Sequence, residues 1–203
     1  MPAEFVRYGE RWRALHPAWD CRDWDAPLQP LVNQALYDAP APAHVHRCRA
    51  DVMRLEVLWR FGGVYVDTDI EPVRALDGLL AQVQAAGASA FIAWSSNRWH
   101  GRRLVSNAAI GAEPGHPFIR RAMAGLPVSV RKYWNRFLAL MTVHYLTSLL
   151  GPLKAGVSGE GVLVLPETSF FPQSIAAQRA GHPVRVTPRT YGIHHWAHSR
   201  GLR

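Results

Sequence analysis

The chain has 203 residues, 48% of them hydrophobic, and sets 23 lysines and arginines against 15 aspartates and glutamates, a formal charge of +8. That length suits a single domain, 1–203, with a sizeable core. The basic residues are dispersed, with only short groups at Arg102-Arg103, Arg120-Arg121 and Arg131-Lys132, which argues against a nucleic-acid binder, where they gather on one face or tail.

No leader of charged then apolar residues opens the sequence, and the most apolar stretch, Phe137 to Leu150, is too short to span a bilayer and contains His144. Cys21 and Cys48 form neither a disulfide framework nor a zinc pattern. The expected setting is the cytoplasm, without a transmembrane segment. Peripheral attachment at an anionic inner membrane face stays open, because the positive charge attracts acidic surfaces as well as acidic substrates.

In chain order, a helix is expected from Glu4 to Leu15, with Phe5, Tyr8, Trp12 and Leu15 on one face, and another over about Pro30 to Tyr37. His44 to Phe61 carries Val45, Val52, Leu55, Leu58 and Trp59 at helical spacing. Gly62 closes that helix in the left-handed conformation and Gly63 reverses the chain. Val64-Tyr65-Val66 then reads as a short buried strand that ends in Asp67-Thr68-Asp69. A short helix near Leu76 to Val83 and strands at Ala90 to Trp94 and Val105 to Gly111 follow. Helices are expected from His116 to Gly125 and, as the longest, from Val130 to Leu149, and late strands at Val162 to Leu165, Val184 to Thr187 and Tyr191 to His195. This order suits an α/β layered sheet with ligands at the carboxyl ends of its strands.

Two carboxylates one residue apart at a strand end need a partner for their charge. Hard divalent ions supply one, and Mg²⁺ or Mn²⁺ keeps further coordination positions for substrate phosphates. Arg47, Asp51, Arg54 and Leu58 fall along one side of the preceding helix, either as a solvated face or as binding groups. Near the end, His194-His195-Trp196-Ala197-His198-Ser199 concentrates metal-ligand chemistry. Alternation along a strand sends His194 and His195 to opposite faces, and His195 is the expected partner of Asp69, with Ser199 second. The other possibility is a surface histidine patch. Asn107, on a strand of small and apolar residues, needs hydrogen bonds, from a sugar hydroxyl or from neighbouring backbone. Trp94 and Trp99 are open to sugar stacking or to structural packing, and Glu71 and Glu113 are conceivable bases without further support.

The pattern Arg49-Ala50-Asp51-x-x-Arg54-x-x-x-Leu58-x-x-x-Gly62-Gly63-Val64-Tyr65-x-Asp67-x-Asp69 resembles the sugar-binding DXD region of a glycosyltransferase family. That family includes yeast-type α-1,6-mannosyltransferases, capsular polysaccharide transferases and, remotely, the large clostridial glucosylating toxins. Weaker likenesses run from Pro2 to Trp24, through Ser106-Asn107-Ala108 and Gly115-His116-Pro117, to Pro166–Pro172 and Tyr191–Ser199, so the resemblance touches nearly the whole chain. It implies an α/β GT-A fold, a single Rossmann-like mixed sheet flanked by helices, here starting after the family's usual first strand. It also implies retaining transfer of a hexose, with Mn²⁺ or Mg²⁺, from a UDP- or GDP-sugar to a hydroxyl on a glycan, lipid-linked saccharide or protein. The implied roles are catalysis for Asp69, Asp67 and Arg54, with Asp51, Arg54, Asp67, Asn107 and Ser199 around the donor, and Asp69, Asp67 and His195 on the metal. Arg200 departs from the family, which often carries tryptophan there. The alternative is a GT-A-fold nucleotide- or sugar-binding module impaired in catalysis.

Overall fold

Gly62 does what a glycine past a helix end can do: its φ is +66°, and its N–H donates to Leu58 O at 2.9 Å, closing helix α3, Val45–Phe61. A Cβ there would meet Pro114 Cδ at 2.6 Å, so both conformation and space demand glycine. Gly63 follows at φ +86° and opens strand β1, Gly63–Val66. The computed structural model describes residues 2–24, 28, 30–38, 45–132 and 138–197.

Before α3 come α1, Ala3–Leu15, and α2, Gln34–Asp38. After β1 come β2, Ile70–Pro72, and α4, Asp77–Ala85. Strands β3, Ala90–Trp99, and β4, Arg102–Ala112, form a long hairpin. Helices α5, Pro117–Lys132, and α6, Leu138–Leu150, lead to β5, Val162–Leu165, a 3₁₀ turn at Glu167–Ser169, α7, Ile175–Arg179, and β6, Gly192–His194.

The main sheet has the order β1-β4-β3-β5. Its β1–β4 and β4–β3 pairs are antiparallel and β3–β5 is parallel, so it is the mixed sheet flanked by helices that was expected. The first four residues of β3, with β5, are packed on both faces: Ala90, Ile92, Val162 and Val164 meet one core with α3, α5 and α6, while Phe91, Ala93 and Leu165 meet a second with α4, Phe170 and Phe171. A separate two-stranded antiparallel ribbon, β2 with β6, lies beside this sheet. Among the described residues no helix is long and apolar enough to cross a membrane.

Several expectations need correction. Strand β1 is only half-buried, because among the described residues it is an edge strand with β4 on one side and no strand on the other. Helix α5 runs through Pro127 rather than ending at Gly125, since its stripe of Phe118, Ala122, Leu126 and Val130 continues into the core. The helix expected from Val130 to Leu149 passes through residues 133–137, which lie outside the described residues; on either side of them α5 reaches Lys132 and α6 runs from Leu138 to Leu150. Val184 to Thr187 forms no strand. Pro183 and Pro188 bracket it, and its backbone serves instead to accept a hydrogen bond from Arg74 at Thr187 O.

Candidate active site

Antiparallel pairing of β1 with β4 carries the chain to Asp67, whose N–H donates to Ala108 O at 2.8 Å. A turn closed by Ile70 N–H donating to Asp67 O then presents Asp69 at the start of β2. The register of the second ribbon decides what faces it: Ile70 pairs with His194, which sets the imidazole against the carboxylate. His194 Nε2 lies 3.1 Å from Asp69 Oδ1. Asp67, Asp69 and His194 each offer a ligand atom within 4.8 Å of one another, and this is the one such group among the described residues.

Asp69 is buried, and burial alone would raise its carboxyl; the His194 hydrogen bond and charge, with the Ala197 N–H at 2.9 Å, outweigh that and hold it below the usual carboxylate range. The Ala197 N–H reaches Asp69 because Trp196 adopts φ +51°, an unusual conformation for a bulky residue. Contacts fix it there: Trp196 Nε1–H donates to Gln173 O, and its ring meets His194 at 4.2 Å and Phe171 at 5.8 Å.

Behind Asp67 lies a buried polar network. Asp51 and Arg54, with side chains 9% and 5% exposed, stand 3.1 Å apart. Arg54 Nη1 donates to Asp67 Oδ1 at 3.1 Å and to Asn107 O. Arg54 Nε donates to Ala50 O, and the guanidinium lies over the Tyr65 ring at 4.8 Å. The Tyr65 hydroxyl donates to Asp67 Oδ1 at 2.9 Å. Asp51 accepts from Asn107 Nδ2 at 2.8 Å and from the Thr142 hydroxyl at 2.7 Å. The solvated-face reading of Asp51 and Arg54 therefore fails, because β4 and α6 cover that side of α3. Burial pushes the Asp51 carboxyl up to about 6, with Arg54 and Thr142 pulling the other way. Burial also works against the Arg54 charge, but Asp67, Tyr65 and Asp51 outweigh it and hold the guanidinium more firmly protonated. A carboxylate accepts about four hydrogen bonds and a guanidinium donates five; besides their ion pair, Asp51 accepts two and Arg54 donates three, which leaves acceptor and donor capacity in the pair.

The structure does not bring the expected His195 to the aspartates. It lies on the other face of the ribbon, where Nε2 is 2.9 Å from Glu71 Oε2 and the ring stacks on Tyr8 at 5.4 Å; the histidine beside the aspartates is His194. The same contact, with Arg11 at 3.7 Å, occupies Glu71. Glu113 sits past Ala112, at the end of β4 away from Asp67. Ser199 and His198 lie outside the described residues. Asn107 bonds Asp51 rather than a bulge of its own backbone. Trp94 lies under Arg103 at 4.7 Å, and Trp99 is at the hairpin tip. Phe170 and Phe171 are fully buried, as structural packing requires.

Comparison with known proteins bears on the resemblance read from the DXD region. Residues 2–86 match the model of the glycosyltransferase sugar-binding region containing the DXD motif. The chain is 33% identical to inositol phosphoceramide mannosyltransferase 3 of Schizosaccharomyces pombe over 61% of its length and 30% of that protein. It is 38% identical to mannosyl phosphorylinositol ceramide synthase of Saccharomyces cerevisiae over 52% of its length and 23% of that protein. It is 29% identical to a human alpha-1,4-N-acetylglucosaminyltransferase over 49% of its length and 24% of that protein. The chain thus spans less than a third of these relatives. Among solved structures, the PaToxG glycosyltransferase aligns over 57% of this chain and 38% of its own, at 19% identity and a TM-score of 0.42. The resemblance read from the DXD region is thereby shown.

Proposed function

We propose that the chain is a metal-dependent, retaining glycosyltransferase of GT-A type that moves a hexose from a UDP- or GDP-sugar to a hydroxyl on a glycan, lipid-linked saccharide or protein. The observation that carries the reading is the meeting of Asp67, Asp69 and His194, three potential ligands drawn from two segments far apart in the chain. The two carboxylates suit Mn²⁺ or Mg²⁺, and the imidazole favours the transition ion of the two; the buried Nδ1 of His194 has no hydrogen-bond partner among the described residues. Bound there, the ion would supply Lewis-acid neutralisation of the departing diphosphate. Asp69 and His194 would hold it, with Asp67 beside them.

The other roles belong to side chains. Arg54 fixes Asp67 and places a permanent positive charge behind the site, where low dielectric strengthens its effect on developing negative charge. The spare acceptor and donor of the Asp51–Arg54 pair would take donor-sugar hydroxyls, and Asn107, anchored to Asp51, would set the register of that contact. The names of the two yeast relatives favour mannose and a lipid acceptor within this class. Calorimetric titration with UDP and with GDP, each with and without Mn²⁺, tests the reading: nucleotide binding that needs the ion is expected. Equal binding without it would return the chain to a binding module.

A further inference from the structure

Strands β3 and β4 outrun the sheet that holds them. Strand β1 pairs with β4 only as far as Ala109, and β5 pairs with β3 only as far as Ala93. Beyond these points neither strand pairs with a further strand among the described residues, and a shift in register falls between Trp94 and Arg98; α6 still packs on β4 up to Val105, whose N–H donates to Thr147 Oγ1, so the free part of the ribbon is its tip. The projection lies on the site's side of the sheet: Asp67 bonds Ala108, and from Ala108 to Arg102, at about 3.3 Å per residue, the hairpin extends roughly 20 Å past it. His100 and Gly101, at φ +47° and +77°, make the tight turn whose twist matches such a ribbon.

The tip is built against its own stability. Arg98 pairs directly with Arg103, and Trp99 with Arg102, although like charges opposite one another repel and a two-stranded ribbon is marginal alone. Arg103 finds Glu167 at 2.9 Å, whereas neither Arg98 nor Arg102 has an ion pair among the described residues. All residues from Arg98 to Arg103 are exposed, and Trp99 is an exposed large hydrophobic among them. Its ring meets His100 and His144 edge to face, at 5.0 and 5.8 Å, which holds it at the tip.

We infer that this tip, Arg98, Trp99 and Arg102 above all, docks the protein on a bilayer with anionic headgroups, setting the candidate active site beside acceptors carried by that surface. Arginine forks match lipid phosphates, and an indole settles at the headgroup level, apolar body inward and N–H outward. A convex turn suits a plane; a glycan site is concave. Docking rests on the hairpin alone and does not require the transferase reading, although the acceptor it presents does.

The test is co-sedimentation of the full chain with vesicles of phosphatidylcholine alone or mixed with phosphatidylglycerol. Binding to the mixed vesicles, weakening with salt, is expected. Each basic residue near such a surface gives about a fivefold gain in partitioning, so Arg98→Gln with Arg102→Gln should lower it roughly 25-fold, and Trp99→Ala should lower it further at high salt. The exposed positions leave the melting temperature as a check on folding. The inference is overturned if the parent ignores anionic vesicles, if the double variant partitions like the parent, or if the parent binds polygalacturonate but not vesicles. Mn²⁺-dependent UDP or GDP binding on the same preparations reports separately on the site at Asp67 and Asp69.

Discussion

His194 Nε2 stands 3.1 Å from Asp69 Oδ1, joining the last described strand to the carboxylate that ends the DXD turn. His195, one residue on, stands 2.9 Å from Glu71 instead. His194→Ala should therefore weaken Mn²⁺-dependent nucleotide binding about 10- to 100-fold, the usual effect of losing a group that holds or orients a metal ligand. His195→Ala should leave that binding intact and cost about 0–1 kcal/mol of stability, as half-exposed pairs do. Titration calorimetry on the two variants decides, and the reverse order would restore His195 to the site.

The difference between these neighbours marks how far the sequence could be read. Alternation says that only one histidine faces Asp69, but which one depends on the pairing of Ile70 with His194, a long-range register that no local pattern encodes. The DXD strand end, Gly62 and most elements were legible because helix caps and apolar periods are local. Burial of Asp51 and Arg54 was not, since α6 and β4 must first pack over them. Thr142 had no signal beyond being a hydroxyl in an apolar stretch. Tyr65 had one, standing two residues before Asp67 in an extended run and so on the same face. The β3–β4 hairpin was cut short at Trp94 because hydrophobic alternation stops there, and only Gly101 hinted at its turn.

Arg54→Lys should fold less stably and turn over much more slowly. Arg54 donates to three acceptors and pairs with Asp51 in a fork that a single ammonium cannot reproduce, so lysine there would leave Asp51 and Asp67 poorly compensated. Breaking a buried pair costs about 3–5 kcal/mol, against about 0–1 for a surface pair. Urea unfolding separates the two ranges, and a cost below about 1 kcal/mol would contradict the burial on which the network rests.

Asp51 gives the protein a pH dependence of definite sign. Its carboxyl is raised to about 6 from an ordinary value of 3.8, so between these pH values the folded state binds more proton than the unfolded state. Stability contributed by Asp51 is then greatest below the lower value, falls as pH rises through the window, and levels off above about 6. Two pK units correspond to about 3 kcal/mol. The stability of the parent relative to Asp51→Asn, measured by urea unfolding from pH 4 to 7, should fall by about that amount. Thr142→Val removes a donor to the carboxylate and should carry the fall to higher pH, whereas Thr142→Ser should not. A pH-independent difference between parent and Asp51→Asn would show that Asp51 stays charged throughout.

Gly192 offers a way to disturb the metal-holding geometry without touching a ligand. It pairs with Pro72 in the β2–β6 ribbon, and a Cβ there would lie 2.7 Å from Ile70 Cγ2 and 3.1 Å from Phe170 Cδ1. Both neighbours are fully buried, so neither can yield cheaply, and β6 would have to move away from β2. Overpacking of this kind costs about 1–3 kcal/mol. Because the same ribbon holds His194 against Asp69, Gly192→Ala should also weaken Mn²⁺-dependent nucleotide binding while leaving all three ligand side chains in place. Gly159→Ala, with nothing within 4 Å of its Cβ, is the control and should change neither property. If Gly192→Ala loses stability but binds nucleotide and Mn²⁺ as the parent does, the ribbon does not position the metal ligands, and His194 would have to reach Asp69 by some constraint other than its strand.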